Sequence, residues 1–350
     1  MKPLHIIGTA ALAALAYLSL WPVEINPRAW TPPPLAQQAA PNLALKNIKR
    51  IGLNWGVGPE GISFDEAGRI YAGYADGRVV RLAADGLTHE ELANTGGRPW
   101  GTFALADGSA VLVADAVKGL LRVTPGKVEV LATQADGVPF RLTDDVVQAK
   151  SGMVYFSDAS SKYGLDKMMA DVFEHGNHGR LISYDPQTKQ AKTLVAGLHV
   201  ANGVTLGPDE AYLLVSETLQ YRVMRYWLKG PKAGHYEPFV ENLPGFPDNI
   251  SYNGRDGFWL ALFAPRDALF DRILPCPLLL KAVYRIPESM RPKAAKHARV
   301  LKLDVHGQVV ADLQDATQGA YAPITSVRER GRALYFGSIE CPAIGRLPLP

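Results

Sequence analysis

Cysteine is scarce in this chain, with only Cys276 and Cys341 among 350 residues. Two thiols cannot build a disulfide scaffold or a cysteine-ligated zinc cluster. Whether these two meet is left open by the sequence. Net charge is scarce too: 37 Lys and Arg stand against 34 Asp and Glu. No basic field of the kind that holds nucleic acid exists, and no nucleic-acid partner is expected. Charged residues make up 20% and hydrophobic ones 47%, which excludes a disordered polar chain. No Ser stands in a nucleophile elbow, and no Gly-rich loop is built to cradle phosphate. Long apolar runs are absent, with one exception.

That exception is IIGTAALAALAYLSLWPV, residues 6–23, which carries no charge and follows Lys2. Its length is near the lower limit for crossing a bilayer. Residues 1–23 therefore read as a membrane anchor or signal segment, with an N-terminal transmembrane helix as the leading form. Positive charge ahead of the run places the body outside the cytoplasm, in the periplasm or a lumen. Residues 24–44 contain Pro27, Pro32, Pro33, Pro34 and Pro41, the composition of a stiff linker. The body spans 45–350.

The body is rich in turn formers, 33 Gly and 26 Pro in the whole chain. A unit recurs from about residue 60: an apolar strand, a turn rich in Gly, Asp or Pro, a second strand ending in small or acidic residues, and a third strand. GISFDEAGRIYAGYADGRVVRLAADG starts the first copy and GTFALADGSAVLVADAVKGLLRVTPG the second. Further copies begin at DDVVQAKSG, NGVTLGPDE, DNISYNGRDG and ITSVRERG. Six such units read as an all-β, six-bladed β-propeller. LKNIKRIGL, residues 45–53, is expected to join the last blade and remove an exposed edge. Residues 265–298 are too long for a blade turn and read as a helical insertion in blade five.

In a propeller the innermost strands line the axis and all start from the same end. Four of them start beside an oxygen-bearing residue: Glu60 in GPEGISF, Asp144 in LTDDVV, Asn202 in VANGVTL and Asp248 in FPDNIS. One donor per blade would converge on the axis. Donors that are only carboxylate and amide oxygens suit a hard cation, Ca²⁺ ahead of Zn²⁺. Without a cation, three clustered carboxylates would repel one another.

LPGFPDNISYNGRDGFWLALF (243–263), RYWLKGPKAG (225–234), HGRLISYDPQTKQ (178–190) and VYFSDASSKY (154–163) resemble the strictosidine-synthase-like proteins, a group that includes the adipocyte plasma-membrane-associated proteins. The chain is more distantly similar to the gluconolactonase/SMP-30, diisopropylfluorophosphatase and paraoxonase propellers. The resemblance implies a six-bladed propeller, often membrane-anchored in this branch, and an axial Ca²⁺ in the hydrolytic relatives. It puts the metal ligands at Glu60, Asp144, Asn202 and Asp248, with Asn249 as an extra ligand. It implies catalytic roles for Asp248, as base or nucleophile, and for Asn202, which with Asn249 would position metal and substrate.

Three departures qualify the resemblance. Asp144 stands where relatives usually carry Asn, adding a negative charge. GRPWGTF supplies Trp100 where paraoxonase-like lactonases have a histidine. Thr325 stands where strictosidine synthases have their catalytic Glu, which argues against that condensation. The reading that remains is a calcium-dependent hydrolase acting on a small-molecule ester or lactone, with a non-catalytic, calcium-stabilised binding propeller as its rival. Among lesser candidates, His175 and His178 have a zinc-like spacing but read better as a solvated loop pair. Asp158, repeated as Asp115 and Glu217, reads as a blade feature. Trp100, Phe140 and Phe246 are candidates to line the mouth.

Overall fold

The computed structural model describes residues 15–36 and 38–349. Six four-stranded antiparallel sheets form the body. Their innermost strands are Ile62–Phe64, Pro99–Ala104, Thr143–Gln148, Ala201–Leu206, Gly245–Tyr252 and Ser326–Arg330. Each contacts the next around the circle, and the last contacts the first. This is an all-β six-bladed propeller.

The second strand of each blade is pressed between neighbouring sheets, which explains its composition. Val111–Asp115, Tyr212–Glu217 and Ala333–Gly337 are buried at every position and read as nearly continuous apolar runs. The outermost strands face water, as in His89–Asn94, where only Leu92 is buried. Tight reversals join them. In KSG, Gly152 sits at φ 91°, a left-handed conformation that a side chain would strain.

Blade 6 takes only three strands from the C-terminal end of the chain. Its fourth is Lys49–Ile51, paired antiparallel with Ile344–Pro348 in the register Lys49↔Arg346 and Ile51↔Ile344. Just before it, Leu45 and Ile48 are buried against Trp259, Ile324 and Phe336. The ring is closed by hydrogen bonds and by an apolar seam.

Three helices lie at the end of the ring where the innermost strands start. α1 (Met168–Glu174) follows the second strand of blade 3. α2 (Ala268–Ile273) and α3 (Pro277–Arg285) fall between the second and third strands of blade 5. Asp267 caps α2 by accepting from the Phe270 amide, and Pro277 opens α3, where its missing N–H costs nothing. The helices meet through Phe173, whose ring lies 6.1 Å from Phe270 and 5.8 Å from Tyr284. Leu280 is buried, whereas Leu278 and Leu279 are exposed.

Proline-rich residues 24–34 lie along this helical layer. Ile25 is buried with Tyr163, Phe173, Leu274 and Leu280. The Asn26 amide donates to Glu174 at 2.8 Å, and Arg266 donates to the Pro33 carbonyl at 2.8 Å.

The expected transmembrane anchor is corrected here. Among the described residues no helix is long and apolar enough to cross a membrane. Of the apolar run, residues 15–20 are helical and held to the body. Arg285 donates to the carbonyls of Leu18 (2.8 Å) and Trp21 (2.6 Å), and Tyr17 donates to the Arg285 carbonyl. Residues 1–14 lie outside the described residues. The membrane-anchored, extracytoplasmic placement rested on that helix and is withdrawn with it. Cys276 and Cys341 are free thiols.

Candidate functional site

The start of each innermost strand contributes one or two side chains to the same end of the axis. Around the ring these are Glu60, Trp100, Asp144, Asn202, Asp248 with Asn249, and Thr325. Glu60, Asp144, Asp248 and Asn249 are all buried, and Asn202 is partly so. Asn249 in blade 5 donates through Nδ2 to Glu60 Oε1 in blade 1 at 2.7 Å, which ties the two blades together.

A repeated irregularity aims these donors. The pairing of first and second strands slips between Pro99 and Gly101, Thr143 and Val146, Ala201 and Val204, and Pro247 and Ile250. Such a bulge breaks the in–out alternation and re-aims the side chains beside it. It allows Asp144 with Asp145, and Asp248 with Asn249, to face the axis as neighbours. A second repeated device fixes the strand start. Asp115 accepts from the Arg98 amide at 3.0 Å, Asp158 from the Leu142 amide at 3.0 Å, and Glu217 from the His199 amide at 2.9 Å. In blades 2 to 4, then, an acid ending the second strand holds the backbone just ahead of the axial residue. Asp158 and Glu217 are neutralised in turn by Arg180 and Arg222.

The axis is narrow enough to require glycine beside the donors. A Cβ on Gly203, the residue after Asn202, would stand 2.4 Å from Asn249 Cα and 2.8 Å from the Asp248 carbonyl. No flexible side-chain end can yield there, since both obstacles are backbone. Gly203→Ala is expected to cost on the order of 3 kcal/mol through forced separation of blades 4 and 5. Urea unfolding of the full-length variant measures it, and a change below about 0.5 kcal/mol would contradict the crowding.

The electrostatics are severe. Burial, and then Asp145, push the Glu60 carboxyl up to about 8. Burial, Glu60 and Asp248 push Asp144 well above the usual carboxylate range. Burial and Glu60 do the same to Asp248. Asp145, just below in the channel, is raised to about 6 by burial. Two guanidiniums answer these four acids. Arg98, in blade 2, is buried beside Glu60 and donates to the Gly58 carbonyl at 3.1 Å. Arg328, on the innermost strand of blade 6, faces Asp145. Fully ionised, four carboxylates against two guanidiniums leave two negative charges without a partner.

Unpaired oxygens mark the same spot. Glu60 Oε2, Asp144 Oδ1, Asn202 Oδ1 and Asn249 Oδ1 are buried with no hydrogen-bond partner. Buried acceptors left unmet are costly and rare. Their chemistry, hard oxygen donors only, fits a cation of charge two better than it fits any protein donor at hand. Among the described residues no group of three or more His, Cys, Asp or Glu side chains is drawn together as a finished metal cage.

An apolar layer roofs the donors. Trp100, Ala116, Leu142 and Ala159 cluster with Met168, Val200 and Ile339, drawing on blades 2, 3, 4 and 6. Trp100 is buried in this cluster, and the other two aromatics pack within the blades. Phe140 packs edge-on to Phe156 at 5.2 Å inside blade 3, and Phe246 packs on Tyr221 at 5.1 Å. The solvated histidine pair also needs correction. His175 is 1% exposed and stacks on Trp30 at 4.8 Å, while His178 lies 2.7 Å from Glu174. Thr325 is buried and donates to the Glu60 carbonyl at 3.1 Å.

Sequence reasoning missed Arg98, Asp145 and Arg328. Asp145 was in plain view beside Asp144, but strand alternation assigns it to the opposite face. Only the bulge brings it to the axis. Arg98 stands two residues before Trp100 in GRPWG and carries no spacing signal.

Comparison with known proteins agrees with this fold. The family model described as Strictosidine synthase matches residues 144–231, and that described as Strictosidine synthase-like, N-terminal, matches 38–82. The protein strictosidine synthase-like 6 of Arabidopsis thaliana is 38% identical over 87% of this chain and 82% of its own length. The adipocyte plasma membrane-associated protein of Homo sapiens is 32% identical over 94% of this chain and 84% of its own. Among solved structures, a gluconolactonase from Xanthomonas campestris superposes with a TM-score of 0.62 at 18% identity, covering 95% of this chain and 99% of its own. Regucalcin from Agrobacterium tumefaciens, a calcium-binding protein, gives 0.60 at 16% identity, covering 86% and 93%. At such identity the two structures speak for the fold alone.

Proposed function

The chain belongs to the strictosidine synthase-like family, and on that premise we propose that it is a calcium-dependent hydrolase of esters or lactones. One observation carries the reading: four buried oxygens without partners, Glu60 Oε2, Asp144 Oδ1, Asn202 Oδ1 and Asn249 Oδ1, meet a local excess of two negative charges. The ligands would be Glu60, Asp144, Asn202, Asp248 and Asn249. Bound there, Ca²⁺ would supply Lewis-acid polarisation of a carbonyl oxygen.

The protein's own groups divide the remaining work. Asn249 holds Glu60 in place through its amide N–H. Asn202, whose side chain draws the Asp248 carboxyl down against the effect of burial, would orient it. Asp248 is the group that would take the proton of an attacking water, or itself attack the acyl carbon, at a carboxylate oxygen. Arg98 offsets the charge of Glu60. The roof of Trp100, Leu142, Met168, Val200 and Ile339 excludes water and suits an apolar acyl or alcohol portion. Condensation of the strictosidine synthase type is disfavoured. Thr325 is engaged with the Glu60 carbonyl and has no carboxyl to move a proton.

One observation favours a second reading, a calcium-stabilised binding module without catalysis. Trp100 occupies the blade-2 position, so no histidine base stands there. A panel of aryl esters, lactones and phosphotriesters, assayed with calcium and with chelator, separates the two. The hydrolase reading expects turnover of at least one class, lost in chelator, and lowered about 10²-fold or more by Asp248→Asn. No turnover by calcium-loaded protein across the panel removes the hydrolase reading and leaves the binding module.

A further inference from the structure

The other end of the axial channel holds a separate feature. Where the innermost strands finish, a cavity of about 280 Å³ opens, bordered by Ser63, Phe64, Ser251, Tyr252, Arg328 and Arg330. Arg328 reaches both this cavity and the narrow channel above it, where Asp145 also lies. Its position is awkward for a cation. Burial pulls its pKa down, and the charge that faces it is Asp145. The Asp145 oxygens are committed elsewhere: Oδ1 accepts from the Val146 amide at 2.8 Å, and Oδ2 from the Val204 amide at 2.9 Å. Among the described residues the Arg328 guanidinium makes no hydrogen bond and no ion pair, although it carries five N–H donors.

The acids around the cavity do not answer it. Asp65 is locked by the Arg69 guanidinium at 2.5 Å and by the Tyr71 hydroxyl at 2.9 Å. Glu329 accepts from Trp259 at 2.8 Å and from Asn253 at 3.1 Å, and pairs with Arg255. Glu66 is exposed at the rim, where solvent and salt screen it. Arg330 lies on the same strand two residues on, hence on the same side. It is anchored over the Phe64 ring at 5.3 Å and by the Glu66 carbonyl at 2.9 Å.

We propose that this cavity is a binding site for a small oxyanion, a carboxylate or phosphate group, with Arg328 as its floor and Arg330 as its rim. The planar fork of a guanidinium matches two oxygens of either group. The volume accommodates a small metabolite rather than a polymer, and Ser63, Ser251 and the Phe64 and Tyr252 rings complete the lining, with both serine hydroxyls donating within the protein. The cavity opens at the end of the channel opposite the axial oxygens, although Arg328 also lines the narrow channel together with Asn249.

Isothermal titration of the full-length protein tests it, in chloride-free buffer of low ionic strength passed over chelating resin, so that no free calcium can bind the probe. The probes are inorganic phosphate and succinate in separate arms. One saturable site with a dissociation constant of about 1 mM or tighter is expected for at least one probe, and the tighter arm identifies which oxyanion the cavity takes. Arg328→Met should weaken it at least about tenfold. Because that change strands Asp145 and can unfold the protein, Arg330→Met is the second variant, expected to fold normally and to bind several-fold more weakly. Arg122→Met, on the third strand of blade 2, should bind as the parent does. Absence of saturable binding by the unaltered protein overturns the proposal. So does equal binding by the parent and a folded Arg330→Met or Arg328→Met protein.

Discussion

Chelation of divalent cations is expected to lower the melting temperature of the full-length protein by about 10 °C at neutral pH. The estimate follows from linkage. A ligand present at about a thousand times its dissociation constant, and bound only by the folded state, contributes roughly 4 kcal/mol. In a domain of this size each kcal/mol moves the midpoint by about 2–4 °C. The sign follows from the site. Burial raises Glu60, Asp144 and Asp248, Asp145 adds to Glu60, and Glu60 adds to both aspartates, so without a cation they must take up protons or repel. An internal control uses the extra acid of this chain. Asp144→Asn removes one of the crowded charges, so its melting temperature in chelator should exceed that of the parent, while its gain from calcium should shrink. Scanning calorimetry with and without calcium gives both numbers. An unchanged midpoint in chelator, together with elemental analysis free of divalent ions, would end the case for an axial cation.

Removing residues 45–53 should be worse still, abolishing cooperative unfolding and leaving a chain that aggregates. The strand Lys49–Ile51 covers the outer edge of Ile344–Pro348, which would otherwise offer unpaired N–H and C=O groups to other chains. The same segment buries Leu45 and Ile48, each worth roughly 1.5–3 kcal/mol as a fully buried side chain. In a ring the loss is not confined to one blade, since the innermost strands of blades 6 and 1 touch only while the circle is closed. Circular dichroism melting and light scattering of the deletion and of Ile48→Asp provide the check. A deletion variant that melts as one sharp transition near the parent temperature would show that the seam is dispensable.

The repeats were legible because a blade is a local object. Its apolar strands, its reversals such as KSG, and its acid at the end of the second strand recur along the chain before any tertiary contact is known. Glu60, Asp144, Asn202 and Asp248 were legible for the same reason, each being a polar residue near the start of an innermost strand. The apolar run near the N-terminus was misjudged because hydropathy counts residues without regard to partners. Its Leu18 and Trp21 carbonyls accept from Arg285, and Val23 packs with Ile25 against Phe173 and Leu280. His175 was misjudged likewise. A histidine in a polar loop looks solvated until Trp30, far away in sequence, stacks on it.

Blade number, closure by residues 45–53 and the oxygen-only character of the axial donors were written in the chain itself, since each depends on periodicity or residue type within short segments. Which side chains share the axis was decided by the ring. Bulges in blades 2 to 5 turn Asp145 and Asn249 inward against the strand alternation, and closure brings Arg98 and Arg328 to the acids they balance. Charge compensation in a low-dielectric channel acts through space, between residues separated by whole blades, and so leaves no local trace in the order of the amino acids.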